Sequence, residues 1–252
     1  MKIDFERPPI NEVSIGMQFA PLPNLKAEHI GLFWSRVRAA FPNSQQMAPI
    51  GGVVHLPPEV FPMPRFWFIA KDDATLIQVQ KNAFLFNWRL REKDYPRFES
   101  VFETFRKHRS TFIQFLKEEL NTARIEQAKY QLSYVNLFED VPYWSGPEDV
   151  PKILPSFALI NPGFKGAKPK DLNSITMFQI EDDLALSVST RNGVNNATGK
   201  TVLILELEAS GTHPRFEFEK ADGWYRRAHT AISESFVALT DRQIQDQYWI
   251  TK

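Results

Sequence analysis

Two short segments place hydrogen-bonding side chains at alternate positions. In Leu76-Ile77-Gln78-Val79-Gln80 the amides of Gln78 and Gln80 alternate with apolar residues, and in Phe84-Leu85-Phe86-Asn87-Trp88-Arg89 the polar members are Asn87 and Arg89. Successive side chains of a strand point to opposite faces. Paired as a hairpin, the two segments therefore put Gln78, Gln80, Asn87 and Arg89 on the face opposite a Phe-rich one. Amides both donate and accept, and a guanidinium offers donors in a planar fork. Such a set on an open sheet face can read a peptide, a base or a carboxylate. A solvated sheet face is the plain alternative for the same pattern.

The motifs of common catalysis are absent. There is no G-x-G-x-x-G, no phosphate-binding G-x-x-x-x-G-K, no H-E-x-x-H and no G-x-S-x-G. The chain has no cysteine, which excludes zinc fingers, iron–sulfur clusters, thiol nucleophiles and disulfide scaffolds. No catalytic residue is assigned, and no cofactor is expected. The 5 histidines, His29, His55, His108, His213 and His229, are not spaced as helix-borne metal ligands. A metal-dependent hydrolase or nuclease would need His213 with Glu206 or Glu208, or the Glu181-Asp182-Asp183 turn. Three consecutive acidic residues at a hairpin read more simply as a solvated turn, so no metal ligand is assigned.

Charge separates further classes. Thirty Lys and Arg balance 30 Asp and Glu to a formal net charge of zero, which argues against coating a polyanion by bulk charge. The balance is local rather than uniform. Arg89, Arg91, Lys93 and Arg97, interleaved with Trp88 and Tyr95 and followed by Arg106, Lys107 and Arg109, form a basic and aromatic stretch. Such a stretch can bind single-stranded nucleic acid. Glu92, Asp94, Glu99 and Glu103 dilute it, and Trp88 falls on the expected core face, so nucleic acid is a partner of second rank.

The elements that must position these residues follow from periodicity. Strict alternation over 11–19, with Val13, Ile15, Met17 and Phe19 on one face, predicts a half-buried strand. Ile30, Phe33, Trp34, Val37 and Phe41 recur at helical spacing and predict a helix over 26–40. The Pro-, Gly- and Gln-rich stretch 42–64 reads as a long loop, a class of segment that is often functional. Strands over 65–70, 76–80 and 84–89 follow, then a long helix from about Pro96 with a Phe stripe, then a strand over 125–137. Beyond a Pro-rich acidic connector, strands are predicted over 157–161, 174–180, 184–190, 201–208 and 215–218. A helix over 223–239 comes next, and Thr240 with Gln243 reads as a capping box for a last short helix.

Hairpins rather than helical crossovers join most of these strands. The expected class is α+β, with antiparallel sheets and helices packed on one face. Its expected layout is an N-terminal β-α-β-β-β-α-β half over 1–138, a connector over 139–155, and a strand-rich half with a terminal helix over 156–252. Each half reads as a curved sheet crossed by a helix, the pattern a diverged duplication would leave, although no residue-level repeat accompanies it. The N-terminus has no apolar secretory core, and no stretch approaches the ~18 apolar residues of a membrane helix. A cytoplasmic protein without membrane contact is expected.

Several stretches together resemble a known family. Pro8-Pro9-Ile10-Asn11-Glu12-Val13, the Leu76–Gln80 segment, Phe84-Leu85-Phe86-Asn87-Trp88-Arg89 with Tyr95-Pro96, and Tyr130-Gln131-Leu132-Ser133-Tyr134-Val135-Asn136 carry the resemblance. Ala228-His229, Ile232, Phe236 and Leu239-Thr240 extend it to the C-terminal helix. The chain is similar to a sporadically distributed, functionally uncharacterised bacterial family of about this length. Ser133 stands where the family usually has Thr, which keeps the hydroxyl. The resemblance supplies no catalytic residue. It strengthens Gln78, Gln80, Asn87, Arg89 and Asn136 as binding residues. A patchy distribution implies a mobile locus of the defence or toxin–antitoxin type, and a protein encoded nearby, or a small ligand, as partner. The expectation is a non-enzymatic binding protein, with the metal-dependent hydrolase and the nucleic-acid module as alternatives.

Overall fold

The computed structural model describes residues 5–50, 63–122, 124–157 and 169–250. The chain is α+β, and its described strands form a nine-stranded antiparallel sheet with helices packed on it. The strand order is β2-β3-β4-β5-β1-β6-β9-β8-β7, where β1 is Ile10–Gln18, β2 Asn43–Met47, β3 Arg65–Ile69, β4 Thr75–Gln80, β5 Ala83–Arg89, β6 Glu126–Phe138, β7 Asn173–Glu181, β8 Leu184–Val194 and β9 Thr201–Arg215. Two compact units are distinguished. The meander unit comprises Glu12–Leu132 and Ser210–Tyr225; the hairpin unit comprises Met1–Asn11, Ser133–Ala209 and Arg226–Lys252. The segment 139–155 lies inside the hairpin unit, where it contains the short helix α3, Val150–Ile153.

The meander unit is built from alternation. Val13, Ile15 and Met17 of β1 are fully buried, and they lie opposite Trp88, Phe86 and Phe84 of β5. Ile77 and Val79 of β4 oppose the same Phe86 and Phe84, and Phe68 of β3 opposes Ile77. Directly opposed residues share a face, so one face is a continuous apolar surface. Helix α1, Ala27–Val37, buries Ile30, Phe33 and Val37, and α2, Phe98–Leu120, buries seven apolar residues from Phe98 to Leu116. Phe112 stacks on Phe84 at 4.7 Å, and Phe33 meets Phe112 edge-on at 5.4 Å. The helices thus cover the apolar face and leave the opposite face to Trp67, Gln78, Asn87 and Arg89. The α2 start is two residues later than Pro96 suggests, because Arg97 takes a positive φ of 76° and cannot be helical. Gly16 is required where it stands: a Cβ there would lie 2.4 Å from the Phe84 carbonyl oxygen.

Part of the expected loop over 42–64 is a strand. β2, Asn-Ser-Gln-Gln-Met, has no apolar alternation to announce it, and its conformation is set by antiparallel pairing with β3. Residues 51–62 of that stretch lie outside the described residues.

In the hairpin unit Leu184, Leu186, Val188, Leu203, Leu205 and Leu207 alternate into the core. The C-terminal part of α4, Phe218–Leu239, adds Ile232 and Phe236. The expected strand over 215–218 is not one: Arg215 ends β9 and Phe218 opens α4. The alternation of Arg215, Phe216, Glu217 and Phe218 mimics a strand, but Glu217 is fixed by ion pairs to Arg215 (3.0 Å) and Lys220 (3.1 Å) at the helix start. The expected strand over 157–161 lies outside the described residues from 158 onward. The cap of the last helix, α5 at Arg242–Ile244, is Asp241, whose carboxylate accepts from the Ile244 N–H at 3.0 Å, and not Thr240. The Thr240 hydroxyl instead donates to the Phe236 carbonyl at 2.7 Å and accepts from Gln245 Nε2 at 2.9 Å.

One pairing rule holds in both halves of the chain. In β1-α1-β2-β3-β4-β5-α2 the opening strand neighbours the last strand of the meander, β5; in β6-α3-β7-β8-β9-α4 the opening strand neighbours β9.

Candidate functional site

The register explains how the polar residues meet. Trp67 lies opposite Gln78, and Gln78 opposite Leu85, so Asn87 is the diagonal neighbour of Gln78 on the same face. Arg89 lies opposite Glu12 of β1. The Gln78 Oε1 accepts from Arg65 (3.0 Å) and from the Trp67 indole N–H (3.0 Å). Its Nε2 donates to Asn87 Oδ1 at 2.7 Å, and Asn87 Nδ2 donates to Glu12 Oε1 at 2.6 Å. Every link runs in one direction, from guanidinium and indole through two amides to a carboxylate, which fixes both amide orientations.

The expectation of an open face needs correction. Gln78, Gln80 and Asn87 are only 6%, 3% and 2% exposed. Buried amides are costly unless satisfied, and here they are satisfied by one another. They act as scaffold, and the groups they hold are the half-buried Arg65, Trp67 and Arg89. Gln80 serves another purpose. Its Oε1 accepts from the Ile50 N–H at 2.9 Å and its Nε2 donates to Asn82 at 2.6 Å, pinning the chain that leaves β2. Asn136 belongs to the hairpin unit, where its Nδ2 donates to the Leu205 carbonyl at 3.2 Å.

Trp67 is the centre of the exposed part. The Arg65 and Arg89 guanidinium carbons lie 5.5 and 5.8 Å from its ring centroid, within cation–π range. Arg89 is ion-paired to Asp73, which also accepts from Arg91 at 2.7 Å. Burial lowers the pKa of both Arg65 and Arg89; for Arg89 the Asp73 carboxylate opposes that shift. Among the described residues the Nε of each has no hydrogen-bond partner. The face thus places two half-buried cations beside one aromatic ring, Arg65 also bound to Gln78 and Arg89 to Asp73. An anion or a flat carboxylate, phosphate or amide group satisfies that arrangement.

Arg65, Trp67 and Glu12 were not singled out from the sequence. The alternation in Arg65-Phe66-Trp67-Phe68-Ile69 carries the signal, but it becomes legible only once the β3–β4 register places Trp67 beside Gln78.

The alternative sites are occupied otherwise. Arg227 binds Glu181 at 2.8 Å and Asp183 at 2.7 Å. Glu206 accepts from Ser133 at 2.9 Å and from Arg191 at 3.3 Å. His213 stacks on Tyr130 at 4.5 Å. Among the described residues no group of three or more His, Asp or Glu could hold a metal ion. In the basic stretch, Trp88 is buried against Tyr95 at 5.3 Å. Arg106 binds Glu103 (2.9 Å) and Asp222 (2.7 Å). Arg109 is 1% exposed, bound to Asp222 at 2.7 Å and enclosed by Phe105, Phe216 and Phe218. Arg106 and Arg109 are thus tied to the fold through Asp222.

Among the described residues no helix is long and apolar enough to cross a membrane. Compared with known protein families, curated proteins and solved structures, the chain matches none.

Proposed function

We propose that this chain is a non-enzymatic binding protein that captures an anionic or amide-bearing group of a protein partner through Arg65, Trp67 and Arg89. A small ligand carrying the same group is recognised by the same three side chains. The observation that carries this reading is the pair of half-buried guanidiniums within cation–π reach of the half-buried Trp67 ring. Gln78 and Asn87 hold the recognition groups, Gln80 secures the adjoining chain, and Asn136 has a positioning role in its own unit. The proposed setting is the cytoplasm of a bacterium carrying a mobile defence or toxin–antitoxin locus, with the partner encoded nearby. The resemblance to the sporadic bacterial family supports that setting. Among the described residues no group of three or more His, Asp or Glu favours the metal-dependent hydrolase, and Arg106 and Arg109 of the basic stretch are bound to Asp222.

The test is co-expression with the products of the flanking genes, followed by affinity capture. Wild type is compared with Trp67→Ala, Arg65→Ala and Arg89→Ala. Each substitution is expected to reduce recovery of the partner at least tenfold while the variant stays folded. Equal recovery across all four proteins would remove this face from consideration.

A further inference from the structure

We infer that a groove in the meander unit, between α2 and residues 215–218, binds a small amphipathic anion: an apolar chain or ring carrying one carboxylate. The inference needs neither the polar face around Trp67 nor the hairpin unit. Two adjoining cavities of about 270 and 530 Å³ form the groove, and both are lined by described residues of the meander unit alone. They share Ile113 and Phe218 as walls. Small-molecule sites are concavities of ~300–1,000 Å³ with apolar walls and a few polar groups, and the adjoining pair is of that size.

Three segments supply the apolar floor. Ile113 and Leu116 lie at i, i+3 spacing on α2 and share one of its faces. Phe216 and Phe218 follow β9, where the Phe216 N–H donates to the Ile125 carbonyl at 2.8 Å and so brings Ile125 to the same cavity. Helix α2 stops where Asn121 takes a left-handed φ of 49°, and the Thr122 N–H returns to the Leu116 carbonyl at 3.0 Å. That turn sets Thr122 on the wall of the smaller cavity. Leu116 and Ile125 are buried, whereas Phe218 is 44% exposed. A single exposed aromatic is ordinary; this one stands on the wall that two cavities share. Its ring is also held in place. It meets Phe216 edge-on at 4.9 Å, and the buried Arg109 guanidinium carbon lies 5.1 Å from the Phe218 ring and 5.4 Å from that of Phe216. Rings fixed in advance lose little freedom on binding, which favours affinity.

Charge selects the head group. Lys117, Arg124 and Arg215 line the cavities against two carboxylates, Glu118 and Glu217. Both carboxylates are already neutralised. Glu217 binds Arg215 and Lys220, and Glu118 binds Arg36, which it shares with Glu119. Lys117 on the larger cavity and Arg124 on the smaller therefore leave the rim positive at both ends of the apolar floor. A carboxylate at either cation gains a charge-assisted hydrogen bond. Its apolar part leaves water against Ile113 and Phe218. A neutral chain forgoes the first gain, and a small inorganic anion forgoes the second.

Octanoate is the probe, titrated calorimetrically into the full chain over about 0.01–10 mM, a span bracketing the Kd of about 0.1–1 mM expected of so small a ligand. Acetate, which has the charge alone, and 1-octanol, which has the chain alone, should each bind at least tenfold more weakly. Lys117→Glu combined with Arg124→Glu should weaken octanoate binding at least tenfold, and so should Phe218→Ala. All three side chains are exposed, and circular dichroism verifies folding. The charge-reversed protein carries the test if Phe218→Ala unfolds. Trp67→Ala should bind octanoate like wild type; an equal loss there would move the anion to the polar face and overturn the inference. It is overturned equally by octanol binding as tightly as octanoate, by folded groove variants that bind like wild type, or by no saturable binding up to ~10 mM.

Discussion

The β4–β5 pair and the β7–β8 pair are both antiparallel hairpins with polar and apolar residues in alternation, yet they bury opposite things. In β4–β5 the amides of Gln78, Gln80 and Asn87 are inside. In β7 the apolar Ile175, Met177, Phe178 and Ile180 are outside. Strand position accounts for much of this. β4 lies between β3 and β5, and β5 between β4 and β1, whereas among the described residues β7 has a neighbour on one side only. A central strand must satisfy whatever polar groups it carries, which the directional chain from Trp67 through Gln78 and Asn87 to Glu12 does. An edge strand is free to leave its apolar groups uncovered, at the risk of association. Buried polar groups and exposed apolar ones are the informative departures from ordinary burial, and these two hairpins show one kind each.

The largest expected effect comes from breaking the amide chain. Gln78→Ala strips the partner from Trp67 Nε1, Arg65 and Asn87 Oδ1 together. Each group left unsatisfied costs about 1–3 kcal/mol, less where water can reach it. The expected loss is about 2–4 kcal/mol in urea unfolding with an unchanged slope. Removing both amides, in Gln78→Leu with Asn87→Leu, should cost less than the sum of the single changes, because neither amide is then stranded. Coupling of about 1–3 kcal/mol is expected, as for residues of one network; strict additivity would show that the two amides are independently solvated and that the contrast with β7 is only apparent.

A second polar group is buried on the opposite, helix-covered face of the same unit, and it titrates. His108 of α2 packs edge-on against Phe41 at 5.0 Å and stacks near Phe86 at 6.1 Å. Burial, aided by Lys107, pushes its pKa down from 6.5 to about 4. Well above pH 6.5 the ring is neutral folded and unfolded, and contributes no pH dependence. As pH falls toward 4 the unfolded chain takes up the proton and the folded one does not, so stability is lost across that window. At ~1.4 kcal/mol per pH unit, the loss traceable to His108 is about 2–3 kcal/mol by pH 4. His108→Leu should flatten the stability profile between pH 6.5 and 4 by that amount, and an unchanged slope would mean that the ring is solvated.

The fold was legible where alternation is strict and hidden where a neighbour dictates structure. β1, β4 and β5 announce themselves through Val13-Ile15-Met17 and Phe84-Phe86-Trp88. β2 does not, because Asn43–Met47 is a strand only by virtue of β3. Phe216 and Phe218 imitate a strand through alternation that the ion pairs of Glu217 override. The site was half legible. Gln78, Asn87 and Arg89 come from one hairpin and could be placed on one face, but Arg65, Trp67 and Glu12 join them through two further registers that no local pattern states. Exposure was the part misjudged: alternation tells which face a residue takes, not how deeply its neighbours cover it.

The smallest expected effect tests the other side of the comparison. Met177→Ser removes a side chain that is 71% exposed and lies opposite Ser187. Little apolar surface leaves the core, so the monomer should change by no more than ~0.5 kcal/mol. In the same hairpin Leu186→Ala, at a side chain 1% exposed, should cost about 2–5 kcal/mol. Both are read by denaturant unfolding below the micromolar range, where association cannot contribute. If Met177→Ser instead costs more than ~1 kcal/mol there, beyond the usual range for a surface change, its own chain covers it. β7 would then be an ordinary core strand, and the contrast with β4–β5 would reduce to the amides alone.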